Sequence, residues 1–250
     1  MKANIEIMQD IINRLYADLD LFLNTYEHID IDLITKDKDY YGSGIHASTL
    51  GSCKRKVVLE YAKYEKTPYN LQTLLNFTRG NMYHELVYQW LKWSEEFTIG
   101  EKEFNVSAGL PDKVTGTFDV TFKDLKTNLN ILADIKTASS NQFKKFIDYL
   151  PKPEHIMQLS AYAYGYKKLN HSFDLLMMMY FSNGSDHPQF YFVDYNPDIE
   201  NKFNEYIQAV NDYETSKKLP ARLDATFNKD LAWSCDYCNF KNISCEGLVR

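Results

Sequence analysis

The chain has 250 residues, 44% of them hydrophobic and 25% charged, with a net charge of −6. That length suits one sizeable domain, or one domain with appendages, and the balance is ordinary for a globular protein. No apolar run reaches the length of a membrane span, since the longest, Leu175 to Phe181, is only strand-sized, and the acidic, amphipathic N-terminus does not read as a signal peptide, so a cytoplasmic location is expected.

Ile5, Met8, Ile12, Leu15, Leu19 and Leu23 recur at helical spacing, which predicts an amphipathic helix over residues 4–27. Residues 30–43 are mostly polar and read as a loop. Ser48 or Thr49 is placed to cap a helix from about Cys53 to Lys63. Leu74, Leu75, Met82, Leu86, Val87 and Trp90 mark a long helix over 71–93. The period then changes. Residues 97–106 read as a strand. Residues 114–122 alternate, with Phe118, Val120 and Phe122 opposite Thr117, Asp119 and Thr121. In 129–137, Leu129, Ile131, Ala133 and Ile135 lie opposite Leu132, Asp134 and Lys136. Helices are expected over 139–150 and 154–169, separated by Pro151 and Pro153. Strands are expected over 173–182 and 189–195, joined by the turn-like Asn183-Gly184-Ser185-Asp186. A helix over 197–217 stops before Pro220, and a cysteine-rich tail closes the chain. This order predicts an α/β fold with a mixed central sheet flanked by helices. Residues 1–44 form an N-terminal helix and loop, and 45–250 the main domain, together one compact unit.

Asp119 and Asp134 fall mid-strand on neighbouring predicted strands, off the apolar faces. Two carboxylates held close repel one another unless a cation lies between them, and oxygen-rich sites of that kind suit Mg2+ or Mn2+. Lys136 lies two residues beyond Asp134 and points the same way, where it can orient a water or offset charge on a phosphate. Alone, Asp-Ile-Lys is what any alternating strand with a solvated face can produce. The acidic net charge counts mildly against nucleic acid, but basic residues gather at Lys54, Arg55 and Lys56, and at Lys136, Lys144, Lys145 and Lys152. There are four cysteines, Cys53, Cys235, Cys238 and Cys245. In a cytoplasmic chain the C-terminal trio speaks for metal rather than disulfides, and four thiolates can hold a 4Fe–4S cluster or tetrahedral zinc.

The segments Gly80…His84, Gly116…Asp119, Asp134-Ile135-Lys136 and Gln158…Tyr162 form an ordered series. Over roughly residues 45–245 that series resembles the RecB-like branch of the PD-(D/E)XK nuclease superfamily. The lead-in Ser48-x-Leu50-x2-Cys53-x-Arg55 is similar as well. One cysteine before the motifs and three after them resembles the iron–sulfur members, such as the AddB nuclease domain and CRISPR-associated exonucleases of that type. The resemblance implies a restriction-endonuclease-like core. It implies that His84, Asp119, Asp134 and the carbonyl of Ile135 ligate Mg2+ or Mn2+, with Lys136 at the attacking water or scissile phosphate. Gln158 and Tyr162 would face the substrate groove, and Arg55 is expected to bind substrate too. The four cysteines would hold a 4Fe–4S cluster, with Zn2+ as the alternative, tying the tail back to the first helices.

The implied activity is hydrolysis of DNA phosphodiester bonds. The expected substrate is single-stranded DNA degraded from an end, in phage-type replication and recombination or CRISPR-type DNA processing. The chain has no Gly-x4-Gly-Lys-Ser/Thr segment, so it is not itself a helicase. Expected partners are DNA and possible companions such as a helicase or a recombination or adaptation protein, with no membrane. The rival reading is a non-catalytic DNA-binding subunit that keeps fold and cluster; intact Asp119, Asp134 and Lys136 argue against it.

Overall fold

The computed structural model describes residues 5–25, 44–140, 143–144, 147–184, 187–224 and 232–247. The first helix, α1 (Ile5–Thr25), buries Ile11, Leu15, Leu19 and Phe22 along one face, as the helical period requires. A short strand, β1 (Ile45–His46), leads through a 3-10 turn into α2 (Lys54–Tyr61). Helix α3 (Leu71–Trp93) starts at Asn70, whose side chain accepts from the Thr73 amide at 2.9 Å, satisfying one of the otherwise unpaired first-turn donors. Its second half buries Val87, Tyr88, Trp90 and Leu91. Its first half leaves Leu71, Leu74, Leu75 and Phe77 exposed, so the apolar pattern marks the helix but only half of it is core.

The strands follow as β2 (Phe97–Asn105), β3 (Val114–Thr115), β4 (Thr117–Asp124), β5 (Leu129–Ala138), β6 (Leu175–Ser182) and β7 (Gln189–Val193). Helix α4 (Pro153–Lys168) connects β5 to β6, and α5 (Ile199–Ser216) follows β7. The main sheet has the order β2-β4-β5-β6-β7. The β5–β6 pair is parallel and the other three pairs are antiparallel. A parallel pair cannot be closed by a hairpin, and α4 lies on the crossover that it needs. The fold is thus mixed α/β, as expected.

Each face of the sheet carries a core. Helices α2, α4 and α5 pack on the face presenting Leu132, Leu176 and Met178. Helices α1 and α3 pack on the face presenting Ile131, Ala133, Ile135, Met177 and Met179. A central strand covered on both sides reads as a continuous apolar run rather than an alternating one, and Leu175–Ser182 is buried throughout.

The strand expected over 114–122 is split at Gly116. The Gly116 amide takes a hydrogen bond to the Ser107 hydroxyl, and its carbonyl accepts from the Val106 amide. With its backbone groups used there, Gly116 leaves the ladder. Val114–Thr115 pairs instead in parallel with β1. The expected helix over 139–150 lies partly outside the described residues, and its described end is a 3-10 turn, Ile147–Tyr149. The loop over 30–43, Lys145, and Ser185-Asp186 of the expected turn also lie outside them. Among the described residues no helix is long and apolar enough to cross a membrane.

Candidate active site and thiol cavity

Asp119 on β4 and Asp134 on β5 are brought together at the end of the β4–β5 ladder. The ladder's last backbone pair is Val120 with Ala133. Beyond it Asp119 folds its own carboxylate into the gap, and Oδ2 accepts from the Ile135 amide at 2.6 Å. His84, on α3, reaches the same carboxylate from the edge, with Nδ1 3.5 Å from Asp119 Oδ1. The carboxylates, Lys136, His84 and Ile135 of the sequence series therefore gather at one place.

The face carrying Asp134 and Lys136 is not solvated. It lies under α4, and Asp134 is only 1% exposed. Lys136 Nζ is 2.7 Å from Asp134 Oδ2, so an ammonium meets this buried oxygen directly. Burial pushes the Asp134 carboxyl up to about 7; the Lys136 charge opposes this, and the Asp119 charge adds to it. A buried carboxylate facing a second carboxylate is a donor set that fits a hard divalent cation.

Gln158 and Tyr162 stand one helical turn apart on α4. Gln158 Nε2 donates to Tyr162 Oη at 2.7 Å and lies 3.4 Å from Asp134 Oδ1. Both residues are buried. The structure sets both behind Asp134, with Gln158 reaching its carboxylate.

Two further residues here are not singled out by the sequence motifs. Tyr180 lies beside Lys136 in the parallel β5–β6 register. Its hydroxyl accepts from the Lys152 amide at 3.2 Å and lies 2.9 Å from His155 Nδ1. Burial, then the charges of Lys136 and Lys152, push His155 down to about 2, so its ring is neutral. Tyr180 sits inside an apolar run and His155 outside the motif spacing. Only the His155 position, three residues before Gln158 on the same helix, offered a clue.

Cys53, Cys235, Cys238 and Cys245 line a single cavity. All four thiols are free. Burial raises the Cys53 thiol, the amides of Lys56 and Arg55 at the start of α2 work the other way, and the charges of Cys238 and Cys245 add to the rise. Cys235 is raised by burial and then by the other three thiols. The tail is fastened beside the cavity. The Thr67 amide donates to the Asn239 carbonyl at 2.8 Å, and the Ser244 hydroxyl to the Glu65 carbonyl at 2.6 Å. As the side chains stand, no group of three or more His, Cys, Asp or Glu among the described residues is arranged to hold a metal ion. The chemistry of four converging thiols nonetheless fits a thiophilic metal or an iron–sulfur cluster. Arg55 lines this cavity, and its Nη1 donates to the Pro220 carbonyl at 2.7 Å. The structure therefore sets Arg55 with the thiols.

The solved structure of SSO0001 is similar in fold, with a TM-score of 0.50 and 19% identity, covering 97% of this chain and 100% of that one. No protein-family model and no curated protein matches the chain.

Proposed function

We propose that the chain is a divalent-metal-dependent deoxyribonuclease of the RecB-like, PD-(D/E)XK type, acting on single-stranded DNA from an end. The observation that carries the reading is Asp134, buried beside the Asp119 carboxylate and touching Lys136 at 2.7 Å, with its carboxyl pushed up by burial. Buried carboxylates with a raised pKa, set beside a second carboxylate and a lysine, cluster at functional sites.

His84, Asp119, Asp134 and the Ile135 carbonyl would hold Mg2+ or Mn2+. When bound, the cation supplies Lewis-acid polarisation of a phosphoryl oxygen and a lowered pKa for water. Gln158, fixed by Tyr162, keeps Asp134 from rotating out of place. Lys136 offsets the negative charge that grows on the phosphate during in-line displacement. Neutral His155, tied to Tyr180, adds no second positive charge beside Lys136. Cys53, Cys235, Cys238 and Cys245 would hold a 4Fe–4S cluster in a structural role. Cellular partners and pathway follow from resemblance alone: a helicase or a recombination or adaptation protein.

The test uses anaerobically purified protein, Mn2+, and matched linear and covalently closed single strands. Loss of the linear strand alone is expected. Asp119→Ala, Asp134→Ala and Lys136→Ala should each reduce cleavage by about 1,000-fold or more, on the scale of losing a group essential to the transition state, while circular dichroism stays native. Wild-type rates in folded variants would remove the assignment. Equal loss of the circle would make the enzyme an endonuclease.

A further inference from the structure

Four cationic side chains line the thiol cavity: Arg55, Lys56, Arg222 and Lys241. Three of them have carboxylate partners. Lys241 meets Asp236 at 2.9 Å, Arg222 meets Glu246 at 2.6 Å, and Lys56 lies 3.8 Å from Glu60. Arg55 has no carboxylate partner among the described residues. Its one hydrogen bond within them runs from Nη1 to the Pro220 carbonyl, and its Nε is buried without an acceptor. A guanidinium stays charged at any working pH, and a buried N–H of a charged group left unpaired is costly. A leucine or methionine would fill the same space without that cost. What repays the arrangement is negative charge inside the cavity, and the four thiols are its source.

We propose that Arg55 is a positioning residue for the thiolate-held group: through Nε–H and its fixed charge it donates to, and balances, the cluster held by Cys53, Cys235, Cys238 and Cys245. This rests on the cluster reading above. The cluster with its four thiolates is anionic, and one-electron reduction makes it more so. A hydrogen-bond donor and cation beside the sulfurs favours the more negative state, so Arg55 raises the reduction potential and slows loss of metal.

Wild type, Arg55→Lys and Arg55→Gln are purified without air. Iron content and visible absorption of the wild type test the cluster itself, independently of Arg55. Transfer of metal to a chelator is then timed, and the midpoint potential is titrated with dithionite. Arg55→Gln should weaken metal retention by roughly 10–100-fold, the usual effect of losing an outer donor. It should also weaken reduction about tenfold, a drop of about 59 mV for one electron. Arg55→Lys, which keeps charge but loses Nε, should fall between, and it serves alone if Arg55→Gln does not fold. A metal-loaded wild type with both variants matching it in retention and potential overturns the proposal, even if their melting temperatures fall, and leaves Arg55 as a tether to Pro220. Should the wild type carry zinc, the cluster reading fails and chelator transfer alone decides for Arg55. A wild type without metal sinks both.

Discussion

Gly116 sits where two parts of the site touch. A Cβ there would lie 2.9 Å from Tyr162 Cε1 and 3.2 Å from the Ala47 Cβ, closer than such atoms pack. Tyr162 accepts from Gln158, and Gln158 reaches Asp134. Gly116→Ala therefore pushes the Tyr162 ring and, through Gln158, loosens the buried carboxylate. We expect a loss of about 1–3 kcal/mol in stability, the usual cost of overpacking, with Mn2+ affinity falling alongside it. Thermal melts and calorimetric Mn2+ titration check this. A variant that melts like wild type and binds Mn2+ equally would show that the close approach is relieved at no cost. Asp134 and Lys136 share a face because side chains alternate along β5, but Asp119 was legible only through the ordered motif series, since the alternation breaks beside it: Phe118 lies in one core, Val120 and Phe122 in the other. That the Asp134 face is covered was not legible. A strand carrying Asp and Lys reads as half-solvated, and only the placement of α4 over β5 reveals that Asp134 is buried. The same cause hid Gln158 and Tyr162 as supports and Tyr180 as the neighbour of Lys136.

At the scale of elements, α1 is held to the sheet by more than its apolar stripe. Arg14 grips Asp124 with both terminal nitrogens, at 2.7 and 2.8 Å, the paired geometry that makes such contacts strong. The Asp124 side chain is 0% exposed. It also accepts from the Lys126 and Thr127 amides and the Thr127 hydroxyl, which closes the β4–β5 turn. Burial alone would raise the Asp124 carboxyl, but the Arg14 and Thr127 hydrogen bonds outweigh it and hold it below the usual carboxylate range. A carboxyl depressed in the fold stabilises above its unfolded pKa, about 3.9. That contribution is lost as pH falls from there through the folded value. Arg14→Met leaves a buried carboxylate unpaired and should cost about 3–5 kcal/mol at neutral pH. Urea midpoints from pH 3 to 7 are the measurement. Wild type should lose stability below about pH 4 more steeply than the Arg14→Met/Asp124→Asn double variant, and parallel curves would separate the pair from acid sensitivity. The helical period of α1 was readable in the sequence. Its docking was not, because Arg14 and Asp124 are 110 residues apart and neither lies in a pattern.

At the scale of the whole molecule, the thiol cavity joins the two ends of the main fold. Cys53 sits just before α2, while the other three thiols follow α5, so a group bound by all four closes a loop around the sheet. Closing a long loop stabilises chiefly by restricting the unfolded chain, on the order of 4–5 kcal/mol for roughly 100 residues. Among the described residues, fastenings of the tail include Thr67 to Asn239, Ser244 to Glu65, and the exposed Arg222–Glu246 pair. Surface pairs of that last kind contribute about 0–1 kcal/mol. Phe240 is the buried anchor of the tail. Removing the bound group should therefore release the tail before the sheet. With metal stripped by chelator under reducing conditions, trypsin should cut first at Lys241 or Arg222, leaving a fragment that retains α1 to α5 and the sheet. Loaded protein should resist at both positions, and its melting temperature should be higher by several degrees, as a few kcal/mol imply for a chain of this size. Cys53→Ala should behave like the stripped protein although the cut sites lie at the far end of the chain. If Cys53→Ala keeps a protected tail, the four thiols do not act as one site.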